Sequence, residues 1–136
     1  MNATPRSMLR EPGFWLALLL VVAQATNALR VAVEPAGFAV YFGVPLSHAG
    51  DATWVSVYAL RTGFIAIFAA YLLWRKQVRV LAAFALIALL LPIGDLVLVV
   101  AADAPTATIA RHALIAVVLV AAWAVLARCS RRLNGS

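Results

Sequence analysis

Charge is scarce in this sequence. Among its 136 residues 12% are charged, and only 5 are Asp or Glu. A soluble domain carries about 25% charged residues, so the side chains that would face water over a folded surface are missing. Lipid must therefore solvate most of the exposed side chains. One cysteine, Cys129, excludes an internal disulfide framework and a cysteine-based metal site. It sits beside a basic tail and reads as a bystander thiol, with reversible acylation as the alternative. Histidine is also rare: His48 and His112 stand alone, without an HExxH pattern, so no metal site and no cofactor are expected. The formal net charge of +6 does not point to a nucleic-acid partner, because the basic residues are gathered at the ends of apolar runs instead of along one folded face. Arg6 and Arg10 form one group, Arg75, Lys76 and Arg79 a second, and Arg128, Arg131 and Arg132 a third.

What remains is apolar, 65% of the chain, in four long runs: 14–33, 54–74, 78–102 and 106–127. Each approaches the roughly 20 residues that a helix needs to cross a bilayer core of about 30 Å. Strands of a lipid-facing barrel would alternate polar and apolar positions, which these runs do not. The expected fold is all-α: an integral membrane four-helix bundle forming one domain over residues 1–136. Trp15, Trp54, Trp74 and Trp123 fall near the expected helix ends, where indoles favour the headgroup layer.

If the helices alternate in direction, all three basic groups fall on one side, which the positive-inside rule makes cytoplasmic, together with both termini. The expected location is a cell membrane, crossed several times, with a bacterial inner membrane as the particular expectation. A competing reading of the first run is a cleaved signal peptide, since Arg6 and Arg10 precede it and Ala23-Gln24-Ala25 offers small residues. The connection between the first and second helices holds Phe38, Val40, Tyr41, Phe42 and Val44 between Pro35 and Pro45. Such a segment is expected to lie in the interface and cap the outer side. Pro92 should bend the third helix and free a carbonyl about one turn earlier.

The polar residues inside the runs form the candidate site, because ionisable groups in hydrocarbon cost several kcal/mol unless partnered. Gln24, Asn27, Arg30 and Glu34 recur at helical spacing on one face of the first helix. The second helix contributes Tyr58 and Arg61, the third Asp95, and the fourth Arg111 and His112. Arg61 and Asp95 lie at similar depths on hairpin neighbours, so an ion pair between them is expected. Two readings follow. In one, these charges and amides fix helix register and pairing. In the other, they line a pocket open to the outer leaflet, where Arg30 or Arg61 holds an anionic or carbonyl group and Asp95 and His112 are the catalytic candidates for moving a proton. His48 and Asp51 are expected to be solvated in the outer loop.

The succession of Arg30, the turn Phe42-Gly43-Val44-Pro45, Ala59-Leu60-Arg61-Thr62-Gly63, Gly94-Asp95 and His112 resembles a small four-helix membrane family. It is the domain of unknown function numbered four-two-six-seven, broadly akin to DoxX-like proteins. That family's second helix characteristically reads Gly-x-Arg-Asp, whereas Thr62 follows Arg61 here, so an Arg-Asp step is missing. The resemblance implies the fold and the polar positions and no chemistry. Three functions are open: binding of a lipid-like or small apolar ligand or a partner helix by the polar cluster; an acid/base isomerase or cyclase acting on an isoprenoid-like substrate; and a small multidrug exporter. The last ranks lowest, because the first helix carries no acid before Glu34. Whether the chain is an enzyme, and whether it is an oligomer, the sequence leaves open; the bilayer is the expected partner, with a lipid-like small molecule beside it.

Overall fold

A computed structural model describes residues 11–48 and 50–134. The described residues are helical and contain no strand. Arg6 and Arg10 lie outside them.

The prolines and one glycine divide the chain. Helix α1 (Pro12–Val33) opens on a proline at its first position, where the missing N–H removes a donor that would have no partner anyway. It ends because Pro35 forces the preceding residue out of helical geometry: Glu34 sits at φ −142°, ψ 75°. Pro35 then opens the short helix α2 (Pro35–Phe42). Gly43, at φ 106°, closes it, with its own N–H bonded to Val40 O and that of Val44 to Ala39 O at 3.2 and 3.1 Å. This is the Schellman arrangement that ends helices on a left-handed residue.

Asp51 is not simply solvated. Its carboxylate accepts the backbone N–H groups of Ser47 and His48 at 3.0 and 2.9 Å, and so fixes the turn that starts α3 (Asp51–Trp74). The next apolar run is split at Leu89 into α4 (Val78–Ala88) and α5 (Leu90–Ala101). Pro92 cannot donate to Ala88 four residues back, which accounts for the break. Helix α6 (Thr106–Asn134) is the longest and runs past the expected end at Ala127. Trp123 is consequently not at a helix end; it packs half-buried against the core.

Four helical spans, Pro12–Val33, Asp51–Trp74, Val78–Ala101 and Thr106–Arg132, are long and apolar enough to cross a membrane. The outer surface matches: Trp54, Leu60 and Ile67 are 77%, 75% and 73% exposed, an apolar coat that only lipid can solvate. Helix α1 packs along α3, and α6 packs along α4 and α5. The two pairs meet through α1 with α6 and through α3 with α4. The main core, including Ala69, Leu72, Leu81, Ala85, Leu126 and Cys129, fills the end that carries Arg75, Lys76, Arg79 and the Arg128 group. Its alanines let the helix backbones approach closely. Helices α3 and α5, by contrast, make no extended contact, so the bundle splays toward the opposite end.

Candidate functional site at the capped end

Helix α2 bridges that splayed end. It leans on α3, with the Phe38 and Phe42 rings 5.5 and 5.8 Å from that of Tyr58. Its last turn nests in the α5–α6 connection. A Cβ added at Gly43 would stand 2.7 Å from Thr108 Cγ2 and 3.1 Å from Ala104 Cβ, so the close approach and the positive φ both require glycine.

The end of a helix leaves carbonyls without partners, and α2 has two. Ala39 and Val40 carbonyls are taken by the turn at Gly43. The next two are taken by consecutive residues of α6: Arg111 donates to Tyr41 O, and His112 Nε2 lies 3.0 Å from Phe42 O. A carbonyl can only accept, so Nε2 must carry the hydrogen. His112 is buried, and the Phe42 ring meets it edge-on at 4.8 Å. A cation at the helix C-terminus also suits the helix dipole.

Tyr41 gathers the cations of this end. The Arg111 guanidinium lies 3.8 Å from the centre of its ring and that of Arg30 lies 4.6 Å away, both within cation–π range. Arg30 also lines a cleft of about 340 Å³ between α1 and α2, with Leu29, Val33, Glu34, Gly37 and Phe38. The Glu34 carboxylate folds over Gly37, leaving 2.6 Å between Oε1 and a Cβ placed there. The cleft thus has apolar walls, one cation and one carboxylate.

The structure brings Arg30, Arg111 and His112 together around α2, and Tyr58 behind its aromatic rings. Asp95 is half-buried, within electrostatic range of His112, Arg61 and Tyr58. The expected ion pair is absent: among the described residues none joins Arg61 to Asp95. The reason is geometric, since α3 meets α4 beyond their shared turn but makes no extended contact with α5, which carries Asp95. Gln24 and Asn27 lie half-buried on α1, below Arg30. Sequence reasoning placed an aromatic cap over this end but did not assign Tyr41, Phe42 and Gly43 to the site. The signal was present in the proline, the aromatic cluster and the glycine within one short segment.

The family model described as a domain of unknown function (DUF4267) matches residues 15–127 of the chain. The chain belongs to that family. The DUF4267 match takes in α2, the cleft and every polar residue of the capped end, and it is the family that the run from Arg30 to His112 resembles. No curated protein and no solved structure matches this DUF4267 chain.

Proposed function

We propose that this chain is a multi-pass protein of the cell membrane, with both termini cytoplasmic, that binds a lipid-like amphiphile at its outer face. Positive loops stay inside, which favours a cytoplasmic position for the Arg75 and Arg128 groups and an outer, interfacial position for α2. The observation that carries the reading is the cleft between α1 and α2. Leu29, Val33 and Phe38 offer an apolar channel, while Arg30, anchored on Tyr41, presents a cation to a polar head. An anionic or carbonyl oxygen at the guanidinium would form a charge-assisted hydrogen bond.

Native mass spectrometry of the purified protein tests this. The wild type should retain a bound amphiphile, and Val33→Trp, which fills the cleft, should lose it. Equal retention by both would remove the reading. A second reading, an acid/base isomerase or cyclase, is favoured by one observation: half-buried Asp95 has no hydrogen-bonded partner among the described residues. His112 fits that role less well, because its Nε2 already serves Phe42 O.

A further inference from the structure

Arg30 and Glu34 stand four positions apart at the end of α1, the spacing at which opposite charges ordinarily pair across one turn of helix. They do not pair: among the described residues no ion pair joins them. The break at Pro35 explains this, because Glu34 leaves helical geometry at φ −142°, ψ 75° and its carboxylate turns forward over Gly37 of α2. The Arg30 guanidinium lies instead over the Tyr41 ring. Both charged side chains are exposed, and both line the α1–α2 cleft. The fold thus holds a cation and an anion apart within one apolar cleft.

We propose that the amphiphile held in this cleft is a phospholipid with a zwitterionic head ending in a primary ammonium, its phosphate on Arg30 and its ammonium on Glu34. The inference rests on the amphiphile reading of the same cleft and adds the head group to it. Charge places the phosphate. The Arg111 guanidinium lies over the same Tyr41 ring, 3.8 Å from its centre, so two cations crowd one aromatic side chain, and an anion beside them offsets their repulsion. A guanidinium can also hold two phosphate oxygens at once. Glu34 places the rest of the head. An uncharged glycerol leaves that carboxylate without a counter-charge, and a further anionic group would be repelled by it. A quaternary ammonium brings charge but no hydrogen to donate, whereas a primary ammonium brings both. Leu29 and Val33, both exposed, and buried Phe38 give the acyl chains an apolar wall beside the two charges.

The affinity for each head can be read by native mass spectrometry of the full chain in detergent, titrated with short-chain phosphatidylethanolamine, phosphatidylcholine and phosphatidylglycerol of identical acyl chains. The wild type should bind the ethanolamine lipid about tenfold more tightly than the other two, the worth of one charge-assisted hydrogen bond. Arg30→Gln should weaken all three. Glu34→Gln should bring the ethanolamine lipid down to the level of the choline lipid. Glu34→Lys should reverse the order so that the glycerol lipid binds best, and that gain also shows that the variant folds. Free phosphoethanolamine at the same concentration should displace none of the lipids; displacement by the head alone would overturn the lipid as its source. A preference for ethanolamine that survives both Glu34→Gln and Glu34→Lys would overturn the proposal. Equal wild-type affinity for the three heads, with Val33→Trp abolishing all binding, would overturn the head-group assignment and leave amphiphile binding in the cleft standing. Binding unchanged by Val33→Trp would overturn both.

Discussion

At the scale of single residues, the capped end depends on satisfying two carbonyls. Removing the His112 imidazole leaves the part-buried Phe42 O without its donor, a loss of about 1–2 kcal/mol, toward the low end of the range for unsatisfied groups. His112→Ala should therefore lower the thermal unfolding midpoint in detergent. His112→Gln, whose amide nitrogen reaches a similar place, should recover part of the loss, and equal midpoints for the two variants would show that the hydrogen bond carries no weight. Gly43→Ala should cost about 1–2 kcal/mol from the left-handed backbone alone, with a further loss as Thr108 and Ala104 give way. Because both substitutions unseat the same short helix, the double variant should lose less than the two losses added together. The sequence drew attention to Arg111 and His112 as polar residues and could not say what they hold. Their acceptors are backbone carbonyls some 70 positions away, and a carbonyl has no residue-type signature.

Among the helices and their breaks, legibility follows chemistry. Pro35, Gly43 and Pro92 announce their breaks because ring closure or a missing Cβ restricts the backbone there. Lys76 and Asp103 announce nothing, yet they end α3 and α5 at φ 55° and 50°, each followed by the same closing bonds that Gly43 makes. A side chain in that conformation costs about 1–2 kcal/mol, offset in part by the greater freedom glycine has when unfolded. Lys76→Gly and Asp103→Gly should each raise stability by up to about 1 kcal/mol, read as a higher unfolding midpoint, where glycine elsewhere in a helix would lower it. A lowered midpoint at either site would show that its side chain has a partner worth more than the strain. The splay of α3 from α5 was not legible either. Spacing gives the depth of Arg61 and Asp95, but which neighbour a helix leans on is decided by packing, and here α6 draws α4 and α5 to itself.

For the molecule as a whole, hydropathy made the four spans visible because nothing but lipid can solvate so apolar a surface, whereas sidedness rests on an asymmetry of charge. Arg75, Lys76, Arg79, Arg128, Arg131 and Arg132 stand at one end of the bundle. Arg30 and Arg111 belong to the other half, but the Tyr41 ring and its carbonyl engage them, so they add little to the free positive charge of the outer loops that the rule counts. Cysteine labelling in intact cells can read the result, since the native thiol of Cys129 is 7% exposed in the core and should react slowly. A cysteine placed at Ser47, in the turn before α3, should react with a membrane-impermeant maleimide added outside. One placed at Gln77, in the turn before α4, should react only after the membrane is opened. The reverse pattern would turn the molecule over and put the cleft at Arg30 on the cytoplasmic face. Labelling of both sites from outside would mean that the two turns do not lie on opposite sides of one bilayer, which the length of the single span between them, Asp51–Trp74, otherwise requires.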